Sequence, residues 1–130
     1  MRTWVFIPRA LEVSDKTKGE IVSFAEKRVA SMKKKLVKQK PSKNYNYVTD
    51  IYYKWHQKRF YLCAKYACPG KNALSPSFES KFARLERIGD KSFRLSAMRH
   101  TGEWMHILPK ARLHECFKEL ENNPWFNNVL

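Results

Sequence analysis

Three cysteines and four histidines are the residues of this chain whose chemistry best suits metal binding or nucleophilic catalysis. A zinc site needs converging sulfur or imidazole ligands, usually supplied by short paired motifs. The sequence contains no Cys-x-x-Cys and no His-x-x-x-His, and no motif accompanies a cysteine nucleophile. We therefore predict no metal, no cofactor, no catalytic residue and no enzymatic activity. The residues concerned are Cys63, Cys68, Cys116, His56, His100, His106 and His114.

The excess of basic side chains indicates binding of an anionic partner rather than catalysis. The formal net charge is +14. Residues 1–45 hold 12 Lys/Arg against 4 Asp/Glu, residues 46–109 hold 11 against 5, and residues 110–130 hold 3 of each. A field of this kind attracts polyanions. The predicted polyanion-binding residues are Lys33, Lys34, Lys35, Lys38, Lys40, Lys54, Arg84, Arg87 and Arg94.

Aromatic residues are interleaved with these cations on predicted strands. Sheet aromatics can stack on unpaired bases while Lys and Arg follow the phosphates, so we favour non-specific nucleic-acid binding. One alternative is a small-ligand pocket lined by Tyr53, Trp55, Phe60 and Trp104. Another is a protein-interaction module whose acidic partner docks on the lysine cluster. The residues predicted to stack or to line a pocket are Tyr52, Tyr53, Trp55, Tyr61 and Trp104.

The turn from Arg99 to Trp104 is the most distinctive short segment. Either Arg99 pairs with a carboxylate such as Glu103 while Trp104 packs in the core, or Arg99 and His100 present donors to an anionic ligand. The carboxylates Glu79, Glu86 and Glu103 lie among basic neighbours, which indicates cross-strand ion pairs rather than general acid–base work.

An α+β domain must position these residues. We predict a short strand at Thr3–Ile7 within a segment 1–16, and a basic helix over 17–40 that starts at a Thr17–Glu20 capping box. An antiparallel meander of about five strands follows over 45–108, with a helix over 110–123 and an aromatic tail over 124–130. Both helices should pack on the sheet.

Local signals refine this sheet. The apolar phase changes at Phe82, which predicts a bulge. Gly89 and Gly102 should supply positive φ in two turns, and Pro109 should close the last strand. Trp125 and Phe126 should pack back on the domain, because a free pair would promote aggregation.

Length and composition set the context. A chain of 130 residues that is 43% hydrophobic is most simply one folded domain. No apolar run approaches the roughly 18 residues of a membrane helix, and an odd number of cysteines fits a reducing compartment. We expect a cytoplasmic protein without membrane contact. The Thr3–Ile7 strand would either close its own sheet or pair with a second subunit.

Three segments resemble a small bacterial family known as domain of unknown function three-zero-two-four. They are residues 50–55 (DIYYKW), 78–86 (FESKFARLE) and 99–104 (RHTGEW). The family pattern continues through the amphipathic stretch 113–120 and the Pro-aromatic residues 124–126, so the resemblance covers about residues 21–126. It implies no activity, cofactor or catalytic residue. The lysine cluster and the Trp4–Pro8 segment lie outside the pattern.

Overall fold

A computed structural model describes residues 8–37, 45–71 and 75–127. Five antiparallel strands form one sheet in sequential order, preceded by a long helix and followed by two short ones. The predicted α+β meander is therefore confirmed, while the predicted Thr3–Ile7 strand lies outside the described residues. The elements are α1 (Asp15–Leu36), β1 (Tyr47–His56), β2 (Arg59–Ala67), β3 (Ser77–Arg87), β4 (Phe93–Met98), β5 (Trp104–Ala111), α2 (Leu113–Asn122) and α3 (Pro124–Asn127).

The start of α1 lies earlier than predicted. Ser14 is the N-cap, and its hydroxyl accepts a hydrogen bond from the Thr17 backbone N–H. Thr17 is thus inside the first turn, so the predicted Thr17–Glu20 capping box is wrong. Both hydroxyl residues suit a helix start, but Ser14 has the extended backbone that an N-cap requires.

The far end of α1 also differs from the prediction. Its C-cap is Val37, whose backbone N–H donates to the Lys33 carbonyl, and the predicted extension over Lys38–Lys40 lies outside the described residues. The buried stripe consists of Ile21, Ala25, Arg28, Val29 and Met32. This stripe packs α1 against the sheet, next to α2.

The sheet contains the predicted bulge. Leu62 pairs with Ala83 and Cys63 pairs with Lys81, so Phe82 is the extra residue of β3. This confirms that the change of apolar phase marks a bulge, which lets Phe82 and Ala83 both be buried.

Of the two predicted glycine turns, one has positive φ. Gly102 has φ 88°, as expected for the β4–β5 turn. Gly89 does not have positive φ, because the wider turn from Ile88 to Ser92 closes through two N–H donors to the Ser92 carbonyl. The β1–β2 turn instead uses Gln57 at φ 56°.

Pro109 does not end the last strand, contrary to the prediction. Leu108 pairs with Leu95 and Ala111 pairs with Phe93, so Pro109 and Lys110 together face one residue of β4. β5 is an edge strand with a bulge at this point, and these are two settings in which a strand tolerates a residue without an N–H donor.

The tail packs only in part. Phe126 is fully buried against the core, whereas Trp125 is 46% exposed and its indole N–H donates to the Met98 carbonyl. None of the described helices is long and apolar enough to cross a membrane.

Candidate nucleic-acid interface

Side chains alternate between two faces of the sheet. The face that carries the helices holds the hydrophobic core, with Ile51, Phe60, Leu62, Leu85 and Leu95 almost fully buried. We call the opposite one the outer face. It is built largely from charged and aromatic residues, although several of them are buried.

Two cross-strand rows organise the outer face. The first runs through His56, Arg59, Glu86 and Arg94 across β1 to β4. The second runs through Lys54, Tyr61, Arg84, Ser96 and His106 across all five strands. Because directly opposite side chains lie about 5 Å apart at Cβ, the residues within each row are neighbours.

Three arginines surround the carboxylate of Glu86, which is fully buried. Arg59 Nε donates to Oε2 at 2.9 Å and Arg94 Nε donates to Oε1 at 3.1 Å. Arg84 Nε lies 3.2 Å from Oε1, a charge contact without good hydrogen-bond geometry. The Arg94 Nη1 also donates to the Pro8 carbonyl at 2.8 Å. The cluster thus carries two more positive charges than negative ones.

The arginines keep Glu86 ionised. Burial alone would raise the pKa of this carboxyl, but hydrogen bonds from Arg94 and Arg59 and the charge of Arg84 outweigh it, and the pKa is lowered. Burial in turn lowers the pKa of Arg84, which the charge of Glu86 opposes. The cluster is therefore a fixed array of cations at neutral pH.

Aromatic rings of the outer face support cations. Lys81 Nζ lies 4.8 Å from the ring centroid of Tyr61, and the Arg84 guanidinium lies 4.7 Å from that of Trp104. The two rings are 5.9 Å apart. Tyr61 is only 7% exposed, so the charged groups, rather than this ring, face the solvent.

A second ionic group lies towards the other end of the strands. Lys54 Nζ is 2.5 Å from Glu79 Oε1, and the Tyr52 hydroxyl donates to the same carboxylate. The Lys54 and Tyr52 hydrogen bonds lower the pKa of Glu79. Glu79 and Glu86 are thus ion-pair partners across strands, as the sequence indicated, whereas Glu103 makes no ion pair with any described residue.

Ser96 and His106 complete the second row at β4 and β5. The Ser96 hydroxyl is buried and makes no hydrogen bond within the described part of the chain. Burial and the charges of Arg94 and Arg84 lower the pKa of His106, against the smaller effect of Glu86. His106 is therefore held neutral at physiological pH.

The predicted polyanion-binding residues separate into three places. Lys54, Arg84 and Arg94 lie on the outer face. Arg87 lies on the opposite parity and its Nη1 donates to the Glu12 carbonyl at 3.0 Å. The predicted helix cluster is described at Lys33, Lys34 and Lys35, which are exposed, while Lys38 and Lys40 lie outside the described residues. Lys33 pairs with Asp50 of β1 at 3.3 Å.

The predicted aromatic set is divided by the sheet. Tyr53 and Trp55 pack on Phe60 on the helix face, with ring centroids 5.5 and 5.1 Å from it. Tyr52, Tyr61 and Trp104 lie on the outer face. A cleft of about 730 Å³ lies elsewhere, between the starts of α1 and α2, and none of the predicted pocket aromatics lines it.

Arg99 and His100 are exposed in the β4–β5 turn. The Arg99 backbone N–H donates to the Glu103 carbonyl at 2.8 Å and its carbonyl accepts from Gly102. Both side chains therefore lie at one end of the sheet.

Sequence reasoning missed Arg59, Lys81, Ser96 and His106 as site residues. The signal was present in part, because Arg59 has the parity of Tyr61 and a two-residue turn would place it opposite His56. The Phe82 bulge had to be counted before Arg59 could be placed opposite Glu86. Within the described ranges, no three His, Cys, Asp or Glu side chains converge as metal ligands.

Comparison with known proteins identifies a family without an activity. The profile of the family described as Domain of unknown function (DUF3024) matches residues 16–127. The chain therefore belongs to that family. No curated protein and no solved structure matches the chain.

Proposed function

We propose that this member of the DUF3024 family binds nucleic acid without sequence specificity, through the outer face of its sheet. The observation that carries the proposal is the pair of cation–π contacts, of Lys81 with Tyr61 and of Arg84 with Trp104. Cations held above rings present charge to a ligand while their aliphatic stems remain packed.

The charge balance of the outer face supports this function. Six cations lie on it, Lys54, Arg59, Lys65, Lys81, Arg84 and the buried Arg94, against the carboxylates Asp50, Glu79 and Glu86. The cations come from four adjacent strands and so lie within a few strand spacings of each other, about 4.8 Å each. Such an array matches the closely spaced phosphates of a nucleic-acid backbone.

Phosphate contact, rather than base stacking, should supply the affinity. Tyr61 is covered by Lys81 and packed against Trp104, so a base cannot reach its ring without displacing the lysine. We therefore expect similar binding of single- and double-stranded nucleic acid. Contacts to phosphate carry no direct sequence information.

The basic end of α1 extends this surface. Its Lys33 reaches Asp50 of β1, so the exposed Lys34 and Lys35 lie near the edge of the sheet. Asp50 neutralises part of their charge. We therefore expect the helix end to make a smaller contribution than the outer face.

Fluorescence anisotropy with single- and double-stranded oligonucleotides over a salt series tests the proposal. The double variant Lys65→Gln, Lys81→Gln should lower the affinity at low salt. It should also reduce the slope of log K against log salt concentration by roughly one to two, because up to two phosphate contacts are lost. The double variant Lys27→Gln, Lys118→Gln is the matched control. It removes the same charge from exposed positions on the helices and should change affinity much less.

Other outcomes would contradict the proposal in recognisable ways. Equal losses in the two double variants would mean that net charge alone, and not the outer face, attracts the ligand. If the triple variant Lys33→Glu, Lys34→Glu, Lys35→Glu lost more affinity than the sheet variant, the main interface would lie on α1. Binding of polyglutamate as tight as that of an oligonucleotide would indicate a module for an acidic protein partner.

A further inference from the structure

The three arginines around Glu86 all approach it with the same nitrogen. Arg59 and Arg94 donate through Nε, and the closest nitrogen of Arg84 is also Nε. When a guanidinium contacts a carboxylate through Nε, its two terminal nitrogens, Nη1 and Nη2, can still donate to another group. That pair is the fork that grips carboxylate and phosphate oxygens in a bidentate manner.

Two of the three forks are available to a ligand. Arg94 donates a terminal nitrogen to the Pro8 carbonyl. Within the ranges that the structure describes, the terminal nitrogens of Arg59 and Arg84 make no hydrogen bond. Their side chains are 38% and 15% exposed, whereas that of Glu86 is fully buried. The carboxylate thus lies beneath two partly open guanidinium groups.

Ser96 provides an independent indication of a ligand at this place. Its hydroxyl is buried between Arg84 and His106 in the second row and makes no hydrogen bond to any described residue. Buried hydroxyls are nearly always hydrogen-bonded. A ligand oxygen that reached the row between these side chains could accept its proton.

We propose that Arg59 and Arg84, with the Ser96 hydroxyl next to Arg84, form a discrete binding site for one phosphate group of a nucleic-acid strand. The site deepens the proposed function and rests on it for the source of the phosphate. Glu86 is a positioning residue, because it orients the guanidinium groups and still leaves the cluster with an excess of two positive charges.

A fork geometry predicts a requirement for arginine. Lysine keeps the charge but has a single ammonium group in place of the planar fork. Arg59→Lys should therefore weaken phosphate binding by roughly tenfold, as expected when a bidentate pair is replaced by a point charge. Arg59 is the more exposed of the two open arginines, so its replacement should leave the fold intact.

Titration of the full chain with inorganic phosphate, at ionic strength held constant with potassium chloride, tests the site. The NMR signals of the Arg59 and Arg84 Nε–H groups should shift in a saturable way. Arg59→Lys should lower the affinity as stated. The adjacent Lys58→Gln is the control, because it removes an exposed charge of the β1–β2 turn that already pairs with Glu12 at 3.8 Å. It should change the affinity by less than about twofold, since solvent screens an exposed charge.

The outcomes separate the phosphate site from the proposed function. Small unsaturable shifts at all basic residues, or equal losses in Arg59→Lys and Lys58→Gln, would overturn the site even where oligonucleotides bind. Saturable phosphate binding without oligonucleotide binding at low salt would overturn nucleic acid as the source. Displacement of a bound oligonucleotide by phosphate, lost in Arg59→Lys, is the result that we expect.

Discussion

The two faces of the sheet are made by the same five strands and differ in how their buried side chains are stabilised. On the helix face, Phe60 and Leu62 are buried among apolar neighbours under α1 and α2. On the outer face, Glu86 and Arg94 are also buried, but they contact charged and polar groups, including the Pro8 carbonyl. Burial therefore does not distinguish the two faces, whereas the chemistry of the buried groups does.

The two faces therefore contribute differently: the helix face stabilises the fold, and the outer face holds charged groups at defined positions. The helix face gains free energy from apolar area removed from water, which does not depend on direction. The outer face places charges at defined positions, and a buried ion pair contributes little net stability because its desolvation offsets the attraction. An arrangement that contributes little to stability and leaves excess positive charge is consistent with the binding function proposed for this face.

The largest expected effect is on the helix face. Phe60→Ala should lower the free energy of unfolding by about 3–5 kcal/mol, because it leaves a cavity between the sheet and the helices. Lys65→Ala on the outer face should change it by less than about 0.5 kcal/mol. Urea unfolding followed by circular dichroism measures both, and similar losses in the two variants would contradict the division between the faces.

A change at the centre of the outer face should be smaller but still clear. Glu86→Gln leaves three guanidinium groups without their carboxylate and should cost about 3 kcal/mol, the lower end for breaking a buried pair, since solvent reaches Arg59 and screens its charge. Glu79→Gln removes a more exposed carboxylate and is the control. Unchanged urea unfolding in Glu86→Gln would show that the three arginines do not depend on the Glu86 carboxylate.

Acid should destabilise the domain through the carboxylates of the outer face, because the apolar side chains of the helix face do not titrate. The pKa of Glu86 is lowered in the folded state, so the unfolded chain binds a proton at a higher pH than the folded chain does. The stabilisation is complete above the unfolded pKa, near 4.3, and is lost as pH falls through the folded pKa. The free energy of unfolding should therefore decrease on acidification below about pH 4, with a shallower slope in Glu86→Gln.

Cysteine labelling tests whether the side chains of the outer face form a closed layer, without a change in stability. Cys63 lies on this face yet is fully buried, and burial raises the pKa of its thiol to about 11. Cys68 is only partly buried. Iodoacetamide at pH 8 should therefore modify Cys68 well before Cys63, and urea should remove the difference. Fast modification of native Cys63 would mean that the layer is open.

Much of the architecture could be predicted because it is local. The alternation of Phe93, Leu95 and Ala97 identified β4, and the step in apolar phase at Phe82 identified the bulge. The failures were also local. Ser14 and Thr17 are both good N-caps in sequence, and Pro109 ends a central strand but not a bulged edge strand.

The candidate site could be predicted only in part. Parity placed Lys54 and Arg94 on the polar side of their strands, and both lie on the outer face, where Arg94 is buried. Parity could not show which of them share a neighbour. Arg59 and Glu86 are 27 residues apart in sequence, and their contact depends on the register of β2 on β3 and on the bulge within that pair.

The order of strands and helices, the two-residue alternation along each strand and the excess of positive charge are properties of the amino-acid sequence alone, because each depends on near neighbours or on composition. The convergence of Arg59, Arg84 and Arg94 on one buried carboxylate was decided only by the tertiary structure. Cross-strand contacts follow from register, and the register of β2 on β3 depends on one inserted residue, Phe82.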